Sequence, residues 1–207
     1  MGKCAFCDYI EDNSIDEDEM YRINSETLQL VTGEFKALDV INSGSVFELD
    51  KRTLEEIKRA VEEKGIELLY FESYYAYRKR LGEMREYFGI PIIFKRGIET
   101  FDDEFRNKVL NKGIHIDNIS DVSDYFDSIC LLVGVKGQKK ESISRDIDIL
   151  MKNFKYGCVN IFNDNSTPVK ADRELIKWFD RKYGDMLRGM DNVDYLARNT
   201  DFGVGEL

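Results

Sequence analysis

Two cysteines, Cys4 and Cys7, stand two residues apart at the start of the chain, within MGKCAFCDYI. A Cys-x-x-Cys pair serves three chemistries. Structural zinc needs four ligands, usually two such pairs or a pair of histidines. Here only Cys130, Cys158 and one histidine, His115, remain to complete it, and both cysteines are expected at the starts of their strands. A thioredoxin-type redox pair sits between a strand and a helix, and no strand precedes Cys4. The third chemistry is an iron–sulfur cluster, held by closely spaced thiolates on a loop.

Carboxylates form a second set of reactive groups. Glu72 follows an apolar run in IELLYFESYY (66–75), and Glu99 follows another in PIIFKRGIET (91–100). A charge placed inside a packed fold is costly unless it is paired or used. Both residues are therefore site candidates, and the alternative is a carboxylate that satisfies a helix N-terminus. The acidic stretch EDNSIDEDE (11–19) lacks the central glycine and spaced ligands of a calcium loop, and reads as a solvated loop.

The elements that position these groups alternate. LDVINSGSVFEL (38–49) reads as a strand and a tight turn. DKRTLEEIKRAVEEKG (50–65) reads as an amphipathic helix, with Leu54, Ile57 and Val61 on one face. Strands at 66–75, 91–100, 128–137 and 158–165 are each followed by a helix: one through Met84 to Phe88, then 101–113, 139–154 and 171–184. The tail, 193–207, adds a short strand or a flap. This alternation predicts parallel strands joined by helical crossovers. An open sheet and a partial barrel share it, and both bind ligands beyond the carboxyl ends of their strands. The polar tips there are residues 42–45, Glu72 and Ser73, residues 95–99, 134–136 and 160–164.

Composition narrows the function. The 207 residues suit one domain, residues 1–207. No apolar run is long enough for a membrane span, and the start has no signal-peptide pattern. A cytoplasmic protein follows, with reduced thiols rather than disulfides. Ten more acidic than basic side chains give a net charge of -10. Proteins that grip nucleic-acid phosphates show the opposite balance, so no nucleic-acid partner is expected.

The order of these features resembles the radical S-adenosylmethionine (SAM) superfamily. Its Cys-x3-Cys-x2-Cys loop carries an aromatic residue between the last two cysteines, as do Cys4, Phe6 and Cys7. The family's first cysteine falls just before Met1, and its first strand is not in the chain. NSGS (42–45) is similar to the turn after the second strand, LLVGVKGQKKES (131–142) to the fifth-strand glycine segment, and FKRGIETFDDEFRNKVLNKG (94–113) to the fourth-strand signature of elongator-like members. The likeness spans about residues 4–170. SGS, FES and GIET at successive tips further resemble members acting on 7-deazaguanine bases, and the small size is like that of the queuine lyase subgroup.

The resemblance implies a partial (βα)6 barrel of parallel strands with outer helices. It implies a 4Fe-4S cluster on Cys4 and Cys7, SAM as cofactor, and an electron donor such as flavodoxin or ferredoxin. Ser43, Gly44 and Ser45 would meet the methionyl end of SAM, and Glu72, Ser73 or Glu99 its ribose or ammonium. The reaction implied is cleavage of queuine to 7-aminomethyl-7-deazaguanine. A carboxylate suits the guanine-like edge, because it accepts two parallel hydrogen bonds. Glu72, Glu99 and Asp164 stay undivided between cofactor and base. Tyr74 and Tyr75 would stack on a flat heterocycle or pack in the core. Two other classes remain open: a radical enzyme acting on tRNA or another small molecule, and a non-catalytic iron–sulfur protein.

Overall fold

A computed structural model describes residues 4–8, 14, 16–41, 44–198 and 201. The chain divides into two compact units, Tyr9–Lys95 and Met1–Asp8 with Arg96–Leu207.

In the first unit, α1 (Glu17–Leu28) begins where a loop was expected. Asp16 accepts hydrogen bonds from the amides of Asp18 and Glu19, and three acidic residues fill the first turn. Negative charge is favourable at that end of a helix, so the acidic run from Glu17 onward builds a helix. The helix buries no residue. It is held to its neighbour by Tyr21 on Glu56 (2.9 Å), Asn24 on Thr53 (3.2 Å) and Arg52 on Asp18 (2.7 Å). The edge strand β1 (Ala37–Val40) leads to a single 3₁₀ turn, Val46–Glu48, which Ser45 and Glu48 close as a capping box. Then come α2 (Lys51–Lys64), β2 (Leu68–Glu72) and α3 (Leu81–Phe88). The helix expected through Met84 to Phe88 is α3, and a 3₁₀ turn, Tyr75–Arg80, leads into it. There the Tyr77 amide bonds to the Tyr74 carbonyl at 2.9 Å, three residues back.

The strand β3 (Ile92–Glu99) continues from the first unit into the second. The second unit adds α4 (Ser120–Ser123), β4 (Ser128–Val133), α5 (Lys140–Asn153), β5 (Tyr156–Ile161), α6 (Arg173–Phe179), α7 (Asp185–Arg188) and β6 (Val193–Leu196). The helix expected over 101–113 shrinks to one wide turn, Phe105–Val109. Asn111 and Gly113 have φ of 52° and 65°, outside helical space. The helix expected over 171–184 is present as α6, which runs without a break through a wide turn, Asp180–Gly184, into α7. The tail supplies β6, and its last residues lie outside the described ones.

The sheet runs in chain order, β1-β2-β3-β4-β5-β6. The pairs β1–β2, β2–β3, β4–β5 and β5–β6 are all parallel. This is the strand order of the expected partial (βα)6 barrel. Register then assigns faces, because side chains alternate along a strand. On one face of the first unit, Leu69, Phe71 and Phe94 are fully buried. Phe71 packs against Phe88 of α3 with ring centres 5.3 Å apart. The opposite face carries Asp39, Tyr70, Glu72 and Lys95 in register. Among the described residues, no helix is long and apolar enough to cross a membrane.

Candidate functional site

The cysteine loop belongs to the second unit. Cys4 and Cys7 are both half-buried and in no disulfide, joined through a turn in which the Cys7 amide meets the Cys4 carbonyl at 3.4 Å. Backbone contacts fix this loop. The Ala5 amide donates to the Leu110 carbonyl at 2.9 Å. Asn165 donates its side-chain amide to the Phe6 carbonyl at 2.8 Å. Asp8 accepts from the Ser166 amide at 3.2 Å. Phe6 packs on Phe105, Leu110, Leu132, Val135 and Phe162. The aromatic residue between the thiols is thus the apolar foot of the loop, planted where β3, β4 and β5 end.

The turn after β4 forms one wall of this apolar seat. Gln138 accepts from the amides of Gly134 (2.8 Å) and Val135 (2.9 Å) and donates to the Leu132 carbonyl at 2.7 Å. Gly134 has φ of 96°, and a Cβ there would lie 2.3 Å from a carbon of Ile176. Only glycine suits both demands.

Glu99 ends β3 with φ of 66°, in left-handed space that side chains other than glycine rarely enter. Its carboxylate meets the Lys112 ammonium at 2.5 Å, and the two side chains are 7% and 12% exposed. Burial alone would push Lys112 down, but Glu99 and the Cys4 sulfur offset it, and the ammonium is held above its ordinary value. Glu99 therefore enters the site as half of a buried ion pair. In the sequence Lys112 lay in the LNKG end of the 94–113 signature, inside an expected helix, with nothing to mark it as the partner of Glu99.

A second buried network braces the same strand end. Arg106, 1% exposed, donates to the carbonyls of Ile114 (3.0 Å) and Thr100 (2.8 Å) and to Asp103 (2.7 Å). Asp146 on α5 accepts from the Thr100 hydroxyl at 2.5 Å and the Phe101 amide at 3.0 Å. Burial raises Asp146 from 3.8 to about 6, outweighing those two hydrogen bonds. The folded chain thus holds a proton between these values that the unfolded chain has released. The contribution of this group is fullest below the lower value and falls as pH rises through about 6, by about 3 kcal/mol in all. Asp146→Asn should flatten that slope. Urea midpoints of both proteins at about pH 5 and about pH 7.5 test it, and parallel shifts in the two would refute it.

The first unit holds the remaining expected residues. Ser43 lies outside the described residues. Gly44 is buried, and Ser45 donates to Ser73 at 3.4 Å, joining the exits of β1 and β2. Glu72 is half-buried and pairs in register with Lys95. Lys95 is itself bound to Asp39 at 2.5 Å. Tyr74 stacks with Tyr77 at 6.4 Å between ring centres, and Arg78 lies 4.1 Å over the Tyr75 ring. Asp164, in the second unit, is exposed and occupied in its own loop. It accepts from the Ala171 amide at 2.7 Å and from Arg173 at 3.1 Å, and the amide first among these holds it below its usual range.

Cys130 and Cys158 lie apart from the thiol loop. They occupy the third position of β4 and β5 and face each other in register, inside the strands rather than at their starts. Cys158 donates to the Asn160 side chain at 2.7 Å. Two thiols in one tight turn suit two corners of an iron–sulfur cluster, since thiolate is the soft donor such clusters take. Among the described residues, no third histidine, cysteine, aspartate or glutamate stands with them.

A parallel α/β sheet in chain order, with a paired-thiol loop seated at strand exits, is the architecture of radical SAM enzymes. No family model matches the sequence, and no curated protein does. Among solved structures, a queuine lyase from Clostridium spiroforme bound to SAM and queuine is 53% identical, with a TM-score of 0.93. The alignment covers 98% of this chain and 88% of that one. A chitinase from Chromobacterium violaceum ATCC 12472 aligns over 77% of this chain and 62% of its own, at 8% identity and a TM-score of 0.37, too slight a likeness to carry an argument. The chain belongs to the queuine lyase family.

Proposed function

We propose that the protein is a radical SAM lyase that breaks the C–N bond in the side arm of queuine, releasing 7-aminomethyl-7-deazaguanine for queuosine salvage. The observation that carries this reading is the 53% identity, over 98% of the chain, to a queuine lyase bound to SAM and queuine. Cys4 and Cys7 would hold a 4Fe-4S cluster. When bound, the cluster supplies the electron that splits SAM. A flavodoxin or ferredoxin feeds it, in a cytoplasm that keeps the thiols reduced.

The protein's own residues then divide the work. Gly44, Ser45 and Ser73, with Ser43 beside them in the sequence, bind SAM through backbone and hydroxyl groups. Glu72 reads the two N–H donors of the 7-deazaguanine edge. Tyr74 and Tyr75 offer ring faces to the base, alongside Tyr77 and Arg78.

The test supplies free queuine, SAM and a reductant to the anaerobically reconstituted protein. We expect 7-aminomethyl-7-deazaguanine and 5′-deoxyadenosine without any tRNA. Turnover should change little between about 50 and about 200 mM salt, a span over which phosphate-gripping binding falls roughly a thousandfold or more. Product formed only from intact tRNA would overturn the reading.

A further inference from the structure

Lys112 is the feature of the second unit that the proposed chemistry leaves unexplained. A lysine this buried is unusual, and burying an ammonium is costly unless a partner compensates it. Its Nζ lies 2.5 Å from Glu99 and 5.6 Å from the centre of the Phe6 ring. The Cys4 sulfur also contributes to its electrostatic surroundings. Its own segment is fastened to the cysteine loop one step away, where the Leu110 carbonyl accepts the Ala5 amide at 2.9 Å.

The strand makes room for this pair. Gly97 points to the same face as Glu99, and a Cβ there would lie 2.7 Å from the Glu99 carboxylate and 3.1 Å from the Lys112 nitrogen. Glu99 in turn adopts its left-handed backbone at that spot. Two departures from ordinary strand residues, a missing side chain and a strained backbone, therefore both serve one ion pair. A pair of this kind adds little to stability over apolar packing, so its placement points to a role in charge.

We propose that Lys112 is a positioning residue for the cysteine loop: held by Glu99 at 2.5 Å and lying 5.6 Å from the centre of the Phe6 ring, its ammonium steadies the loop and lends positive charge to the surroundings of Cys4. The inference rests on Cys4 and Cys7 being cluster ligands. A buried cation near a cluster favours the reduced, more negative state, because net charge and surroundings set the potential. Lys112 thereby eases delivery of the electron.

The test compares wild type with Lys112→Met, Lys112→Gln and Lys112→Arg. In the metal-free protein, hydrogen exchange at the Ala5 amide should speed up several-fold in Lys112→Met and Lys112→Gln. In the reconstituted protein, their midpoint potentials, followed by electron paramagnetic resonance, should move to more negative values, and Lys112→Arg should restore both readouts. Lys112→Gln still hydrogen-bonds Glu99, which keeps the test open should Lys112→Met fail to fold. An unchanged potential in a folded Lys112→Gln protein would overturn the proposal. Wild type that binds no iron and sulfide would instead overturn the cluster reading, while the exchange measurement still tests how Lys112 holds the loop.

Discussion

Cys4→Ala, reconstituted with iron and sulfide in the absence of oxygen, should show no cluster absorbance and form no 5′-deoxyadenosine, a loss of at least about a hundredfold. Its far-ultraviolet circular dichroism should match the wild type. The thiol takes no part in seating the loop, which hangs on the Ala5 amide, the Phe6 carbonyl and the Phe6 ring. On the proposed reading, removing the sulfur removes a cluster ligand and leaves the scaffold. Cys130→Ala and Cys158→Ala give the contrast. Both sulfurs are buried within strands, so those variants should lose about 1 kcal/mol through cavities and keep their iron. A Cys4→Ala protein with a full complement of iron would remove this thiol from the ligand set.

Arg106→Met should destabilise the fold by about 3 kcal/mol, seen as a lower urea midpoint with an unchanged slope. The guanidinium ties three separate backbone and side-chain acceptors, at Thr100, Asp103 and Ile114. Methionine fills the volume but leaves the Thr100 carbonyl without this donor, and an orphaned buried acceptor costs about 1–3 kcal/mol by itself. The loss should also loosen the segment carrying Lys112. A loss below about 0.5 kcal/mol, the range of ordinary surface changes, would show that Arg106 is a bystander.

The strands were legible in the sequence because each is a short apolar run bounded by polar residues. The alternation then determined a parallel sheet. The cysteine loop was legible through Cys4, Phe6 and Cys7, yet its seat was not. Phe6 finds Phe105, Val135 and Phe162 only after folding, and no local pattern announces such a contact. Residues 101–113 mislead for a different reason. Their apolar spacing is helical, but Arg106 turns inward to bind carbonyls, and Asn111 and Gly113 take left-handed backbones. The ion pair of Glu99 and Lys112 was hidden inside that misreading. The helix α1 escaped because none of its residues is buried, so no apolar stripe marked it against a solvated loop.

The seat of the cysteine loop has a consequence for how the protein is made. Each strand of the sheet lies beside the next one translated, so the sheet can grow strand by strand as the polypeptide leaves the ribosome. The thiols break that order. Asn165 reaches Phe6 across 159 positions, and Ser166 reaches Asp8 across 158. At about 5–20 residues per second, Cys4 and Cys7 wait roughly ten seconds or longer for those partners to be synthesised. During that interval they are an unfolded dithiol, open to any soft metal ion the cell offers. On the proposed reading, cluster insertion belongs after Asn165 and Ser166 have emerged, and a nascent polypeptide stalled before Asn165 should take up iron and sulfide poorly.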